Sequence, residues 1–370
     1  MKTKVLITLF WSLVLGTVSI GAQIPAYYTN VDFTQEGNPL KDDLSTLIID
    51  THTTLIPYTS SATDTWDVIH ESDLDVTISN NVILFYGYDD TDSVTINDRT
   101  RAIADQSSGF CIGYWNREHV FAKSLANPSL ETDDPGAGTD VHNLRAADCQ
   151  MNSTRNNRFF NNASGDSEIV HIEDHPICDR GPGGNPEGCF YPGDEFKGDV
   201  ARIIMYMYLR YPTQCEPTNI GVGSTSYSND ADMPNIFLEW NEEDPVSEFE
   251  RNRNDVIFSY QGNRNPFIDN PYLATLIWNG PNAVDSWGVL SAPDLEFQTV
   301  FIHPTIAQDY VYVEGLEVSK DIMKIYNQLG QVLEFELEGN KIDVSSFSKG
   351  MYLMSIQQQN QSKLFKFLVY

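Results

Sequence analysis

Near Ser291-Ala292-Pro293 the chain changes its texture, and that break limits the possible folds more than any other feature. Before it, some segments carry apolar residues at helical spacing and others read as short buried strands; after it, strand-length runs alternate apolar and polar residues. A period near 3.6 and a period of 2 bury different faces, so one uniform architecture cannot serve both halves. The expected fold class is α+β: a large mixed domain over residues 23–290, then a small all-β sandwich over 297–370. A length of 370 residues has room for both.

Within the large unit, Leu40 to Ile56 and Trp66 to Leu74 have helix-compatible spacing, and Asn81 to Tyr88 reads as a buried strand. Asp199 to Tyr211 gives the clearest helix, with Val200, Ile203, Ile204, Met207 and Tyr208 on one packing face. Gly, Pro, Ser, Asp and Asn cluster in loops at Asn127 to Thr139, Cys178 to Gly198 and Pro212 to Pro234. Their aspartates lack EF-hand spacing and read as solvated surface. In the tail, strands are expected at Tyr310 to Val313, Ile322 to Tyr326, Val332 to Phe335, Tyr352 to Ile356 and Leu364 to Leu368.

Export is expected from the first residues. Met1-Lys2-Thr3-Lys4 is a basic start, Val5 to Ile20 is mostly apolar, and Gly21-Ala22 suits cleavage, giving a leader over 1–22. The apolar run is shorter than the roughly 20 residues a membrane span needs. In an oxidising compartment the five cysteines can pair, with one at least left over; Cys178 and Cys189, flanking a Gly/Pro-rich loop, are the expected bridge. No CxxC spacing supports a zinc site. The formal charge of −29 argues against a protein that grips long stretches of nucleic acid through basic patches, and it supports solubility outside the cell. It leaves room for an enzyme with a short footprint and a cation in its site.

The chemistry is concentrated in two segments. Trp115-Asn116-Arg117-Glu118-His119-Val120-Phe121 sets a carboxylate beside an imidazole, and Asn152 closes the run that begins at Asp140. Hydrolysis of a phosphodiester needs an activated water, a cation on the phosphate and donors for its other oxygens. An imidazole ordinarily titrates near neutrality, so His119 can be the base; Glu118 and the amide oxygen of Asn152 are hard donors suited to magnesium. Adjacent strand residues face opposite ways, so Glu118 and His119 share a site only where the strand bends or ends, or where metal and water approach from different sides. A strand pair followed by a helix over Ala146 to Asn156 would bring 119 and 152 together, with Arg155 on the helix face of Asn152 to reach phosphate. Arg145 and Arg158 are secondary candidates for that contact. His142 reads as a packing or hydrogen-bonding residue of the hairpin, and His52, His70, His171, His175 and His303 lack a partner spacing.

Two resemblances follow from these residues. Trp115 to Lys123, Asp140 to Arg145 and Asn152-Ser153-Thr154-Arg155-Asn156-Asn157 resemble the endonuclease I family of secreted bacterial nucleases, in the His-Me (ββα-metal) finger superfamily. The likeness continues through Lys197 to Arg202, Glu239-Trp240-Asn241, Glu250 to Asn254 and Gln261 to Ile268. It implies that His119 is the general base, that Glu118 and Asn152 hold one divalent cation, that Arg155 contacts phosphate, and that products carry 5′-phosphates. It also offers Gln261 and Asn263 as groove residues, with a structural role as the alternative. Ala122 stands where the family often has proline, so local rigidity should differ and activity should not. The tail from Phe297, with Ile325-Tyr326-Asn327-Gln328-Leu329-Gly330-Gln331 and Ile342 to Tyr352, resembles the type A C-terminal sorting domain of the type IX (Por) secretion system in Bacteroidetes, although the usual Asn-Pro turn stands here as His303-Pro304-Thr305. That resemblance makes the tail an export address read by the type IX machinery.

The expectation is therefore a secreted, sequence-nonspecific endonuclease that acts as a monomer on DNA, with RNA left open. One Mg²⁺ is the expected cofactor, with Mn²⁺ or Ca²⁺ as substitutes. The rival, motivated by the acidity, is a surface-displayed binding protein on an inactive nuclease scaffold.

Overall fold

The computed structural model describes residues 24–172, 175, 177–178, 187–288, 290, 300–316, 318–328, 330–358 and 361–370, and the leader expected over 1–22 lies outside them. The chain divides into two units, Met1–Leu290 and Ser291–Tyr370.

In the first unit, α1 (Asn38–Thr51) starts on a proline-bearing first turn and stops before the sequence pattern does. Thr51 bonds back to the Leu47 carbonyl at 2.7 Å, and the β-branched Thr53 and Thr54 ahead of Pro57 do not continue a helix. Asp64 caps α2 (Thr65–Ser72) in a reciprocal capping box with Asp67. The strand expected to reach Tyr88 is only β1 (Asn81–Ile83), paired with β2 (Thr100–Ala102), because Tyr86 takes a left-handed φ of 73° that no strand carries. Next come β3 (Trp115–His119), β4 (Leu144–Asp148) and α3 (Cys149–Arg155), then the short pair β5 (Glu168–Val170) and β6 (Cys189–Tyr191). The expected Cys178–Cys189 disulfide is present, and Cys111–Cys149 is a second; Cys215 is free and buried.

The helix expected over 199–211 is α4 (Lys197–Arg210), and it is buried from Gly198 to Leu209 on every side instead of along one face. Around it pack α1, α5 (Asn235–Glu243) and α7 (Pro266–Asp269), with α6 (Glu248–Gln261) and α8 (Tyr272–Trp278) completing the unit. A fully surrounded helix must satisfy its polar residues internally. The unit does so with a buried chain of alternating charge. Arg253 meets Asp73 at 2.8 Å, Asp73 meets Arg145 at 3.2 Å, and Arg145 meets Asp199 at 2.9 Å. Asp199 lies 3.7 Å from Arg202, which grips Glu250 at 2.6 and 2.9 Å. Three arginines and three carboxylates thus tie α2, β4, α4 and α6 together.

The second unit is all-β. Its strands are β7 (Phe301–His303), β8 (Ile306–Ala307), β9 (Tyr310–Glu314), β10 (Met323–Tyr326), β11 (Val332–Leu333), β12 (Glu336–Glu338), β13 (Lys341–Asp343), β14 (Gly350–Gln358) and β15 (Gln361–Val369). They form sheets of order β11-β10-β14-β15-β8 and β12-β13-β9-β7. Val311, Val313, Ile325, Ile342, Met354, Ile356 and Phe367 build their shared core. The run expected as one strand over Val332 to Phe335 ends at Leu333, and the chain passes to the other sheet as β12.

Removing one member of the buried charge chain should cost far more than removing a pair. Arg202→Met leaves Glu250 buried without its cation and should lose about 3–5 kcal/mol in urea unfolding. Adding Glu250→Leu should restore most of that loss. A single variant as stable as the parent would show that the charge chain does not support the fold.

Candidate active site

The hairpin β3–β4 is in register from Trp115 opposite Asp148 to His119 opposite Leu144. The helix expected from Ala146 starts three residues later, because 146–148 are paired strand; Asp148 then caps α3 by accepting from the Gln150 and Met151 amides at 2.7 and 2.9 Å. The Cys111–Cys149 bridge fastens the first residue of α3 to the loop before β3.

Strand alternation puts Asn116 and Glu118 on one face of β3 and Arg117 and His119 on the other. Their partners agree. Asn152 Nδ2 donates to Asn116 Oδ1 at 2.9 Å and to the Arg117 carbonyl at 3.3 Å, and Arg155 Nη1 lies 3.3 Å from Glu118 Oε1, so α3 covers the Glu118 face. On the opposite face the His119 ring stacks on Tyr58, centroids 5.7 Å apart, and the Arg117 guanidinium lies 3.3 Å from the same ring. Because β3 ends at His119, no further strand separates the two faces there.

Burial sets the charge states. Glu118 is 2% exposed, and desolvation pushes its carboxyl up to about 7, against the opposing pull of the Arg155 charge and of the Tyr86 hydroxyl that donates to Oε1 at 3.1 Å. His119 is brought down to about 4 by its own desolvation, so its ring is neutral at pH 7. Its Nε2 lies 2.8 Å from the Gly138 carbonyl. A carbonyl only accepts, so Nε2 carries the ring proton and Nδ1 keeps the lone pair. That is the tautomer a general base needs.

Residues 36–272 match the family described as Endonuclease I. The chain belongs to the endonuclease I family. An extracellular ribonuclease of Bacillus amyloliquefaciens is 37% identical over 279 residues, covering 73% of this chain and 84% of that protein. An extracellular ribonuclease of Bacillus subtilis (strain 168) is 37% identical over 265 residues, 70% of this chain and 80% of that protein. Residues 302–370 match the secretion system C-terminal sorting domain. This endonuclease I family member is thus a nuclease, secreted or held at the cell surface, whose tail addresses it to the type IX machinery. Among the described residues no helix is long and apolar enough to cross a membrane.

Several polar residues of this nuclease that the sequence offers as phosphate or groove contacts turn inward. Arg155 is fully buried and donates to the carbonyls of His119, Val120 and Asn156 at 3.2, 2.7 and 3.0 Å, so it positions the end of β3 and Glu118 instead of reaching out to a phosphate. Arg145 is consumed by Asp73 and Asp199. Arg158 is half-buried on the carbonyls of Glu187 and Thr154. Gln261 accepts from the Val141 amide at 2.7 Å and donates to Asp140 at 3.0 Å, and Asn263 donates to the Tyr206 hydroxyl at 2.7 Å. Both are buried and hold the turn before β4, so they line no groove. His142 packs on Tyr206 with ring centroids 4.4 Å apart. Ala122 keeps φ at −60°, the angle a proline would fix.

Two residues with no signal in the sequence reading complete the site. Tyr86 reaches Glu118 from a left-handed turn, and Gly138 supplies the carbonyl for His119. A Cβ on Gly138 would sit 2.0 Å from the Glu131 carbonyl oxygen, so the loop closes this tightly only on glycine. Gly138→Ala should displace the carbonyl from His119 and cut kcat at least about 10-fold, with KM nearly unchanged. Steady-state kinetics on a fluorogenic oligonucleotide would check it, and an unaltered kcat would remove Gly138 from the site.

Proposed function

We propose that this nuclease is a divalent-metal-dependent, sequence-nonspecific endonuclease that acts as a monomer, with β3–β4–α3 as a His-Me (ββα-metal) finger. The observation that carries the reading is a neutral His119, fixed through Nε2 by Gly138, next to a buried Glu118 on the hairpin to which Asn152 is pinned. His119 Nδ1 takes a proton from a water whose oxygen attacks phosphorus. The P–O3′ bond breaks, the 3′ oxygen takes a proton from solvent, and the products carry a 5′-phosphate and a 3′-hydroxyl.

Glu118 and Asn152 Oδ1 would hold one Mg²⁺, with Mn²⁺ or Ca²⁺ as substitutes. The donors fit: both are hard oxygens, and the Asn152 amide nitrogen is taken by Asn116 and the Arg117 carbonyl, which turns Oδ1 away from them. Among the described residues no three His, Cys, Asp or Glu side chains gather as a ligand cage, which suits an ion that keeps most of its waters. Once bound, such a cation supplies positive charge at the scissile phosphate and the departing oxygen. Arg155 and Tyr86 hold the Glu118 carboxylate for it. Water, and not a 2′-hydroxyl, is the nucleophile, so both DNA and RNA are substrates; the name extracellular ribonuclease borne by both relatives supports the RNA half.

His119→Ala should lower the rate of plasmid and RNA digestion by about 10²–10⁴-fold while the folded protein persists, and a chelator should stop the wild type. Wild-type protein that retards DNA but leaves it intact in Mg²⁺ would overturn the reading in favour of a surface-displayed binding protein on an inactive scaffold. RNA ends distinguish the mechanism: 2′,3′-cyclic phosphates would refute attack by water.

Metal affinity should also depend on pH. Without the ion Glu118 holds its proton below about 7, and that proton must leave for a cation to bind. Affinity should therefore fall about 10-fold per pH unit below 7 and level off above it. His119, at about 4, stays neutral over the same range. Calorimetric titration with Mg²⁺ from pH 5.5 to 8.5 checks this; a flat affinity would exclude Glu118 as a ligand.

A further inference from the structure

The loop that leads into β3 carries two large apolar side chains outward: Phe110 is 68% and Ile112 is 73% exposed. They flank Cys111, whose disulfide fastens the loop to the first residue of α3. The loop is built to keep this shape. The Ser107 hydroxyl donates to the Phe110 carbonyl at 2.6 Å, the Ser107 amide to Trp115 at 2.8 Å, and the Tyr114 amide to Cys111 at 3.1 Å. Gly109 and Gly113, at φ 121° and 78°, make the turns on either side. The Cys149 amide also donates to the Tyr114 carbonyl at 3.0 Å, a second tie between the loop and α3. The exposed pair is therefore rigidly part of the catalytic ββα unit.

Charge decides what such a pair would hold. The chain has 52 acidic and 23 basic side chains, and the arginines of this unit are engaged internally. Arg101 serves Asp148 and Asp98, Arg117 serves Tyr58 and Thr65, and Arg155 serves Glu118 and backbone carbonyls. Lys123, partly exposed beside His119, is left as a cation for phosphate, and a nuclease with so few cations gains from other contacts to its substrate. Bases provide them, since every base offers a π face to an aromatic or apolar side chain whatever the sequence.

We propose that Phe110 and Ile112 form a disulfide-anchored wedge that stacks on nucleobases of the substrate strand at the start of α3, the end of the hairpin away from His119. The proposal rests on the nuclease reading above, and a stacking contact fits an enzyme indifferent to sequence. It is a positioning contact: it should set KM and leave the chemical step alone.

The test uses the full mature chain and the double variant Phe110→Ser/Ile112→Ser, whose positions lie on the surface. Turnover is compared on a dT12 or U12 oligonucleotide and on bis(p-nitrophenyl) phosphate, a diester with no base. The wedge predicts an oligonucleotide KM raised about 5- to 100-fold, with kcat and bis(p-nitrophenyl) phosphate hydrolysis unaltered. An unchanged KM overturns it, and so does an equal loss on both substrates. A separate arm needs no catalysis: in chelator, Phe110→Trp should add a fluorescence component that dT12 or U12 quenches. Wild-type protein inert on both substrates would refute the nuclease mechanism while this arm still reads the wedge. If the double variant loses only sedimentation with phosphatidylglycerol vesicles and handles oligonucleotides normally, the pair is a lipid contact and the proposal fails.

Discussion

The alternating charge chain from Arg253 through Asp73, Arg145, Asp199 and Arg202 to Glu250 is the constraint on which the large unit depends. Each link is buried, so each charge is tolerable only because its neighbour is present. The chain fixes the path of β4 relative to α2, α4 and α6. Arg145 stands directly opposite Glu118 in the hairpin register. The strand that carries the site is thereby held through its partner, without any catalytic side chain having to provide the hold. Arg253 adds a hydrogen bond to the Val141 carbonyl at 2.7 Å and so also secures the turn before β4.

Against that rigid frame, the site itself is electrostatically uncomfortable. Glu118 is buried with one arginine and one tyrosine, and its carboxyl is still raised to about 7. Asp140, equally buried, is better supplied: against its own desolvation, the His52 and His142 rings beside it and bonds from Tyr206, Tyr211, Gln261 and the His142 amide hold it below the ordinary value. The contrast between the two acids separates a finished structural anion from one short of a partner. A cation at Glu118 would make up the deficit, and the pH dependence of its binding follows from the same shortage.

The sequence made the centre of the site legible and its surroundings opaque, for a physical reason. Glu118, His119 and Asn152 stand out because a base and hard oxygen donors in such a pattern are chemically purposeful, and α4 and the Cys178–Cys189 bridge stand out by periodicity and spacing. Arg145, Arg155, Gln261 and Asn263 look the same in sequence as residues that greet a substrate; only burial shows that they serve the protein's own backbone and acids. Gly138 and Tyr86 escaped because their roles depend on close approaches between distant segments. A loop that reads as solvated supplies the carbonyl for His119, and a residue counted as strand sits at a left-handed turn. Propensity sees neither, since tertiary contacts override it at both places.

Acidity and substrate then cease to conflict. An enzyme that draws a polyanion through surface lysines and arginines gains affinity from counterion release and loses it as salt rises. Here the arginines nearest the site are spent on folding, Arg155 on Glu118, Arg101 on Asp148 and Arg117 on Tyr58, which leaves Lys123, partly exposed beside His119, as a cation for phosphate. What remains for the substrate is local. A divalent ion between Glu118 and Asn152 would neutralise a single phosphate, and the exposed Phe110 and Ile112 can meet bases without regard to charge. Such a short footprint has a consequence for specificity, because neither a phosphate nor a π face identifies a base. Under the proposed reading, indifference to sequence would follow from how this acidic fold holds nucleic acid.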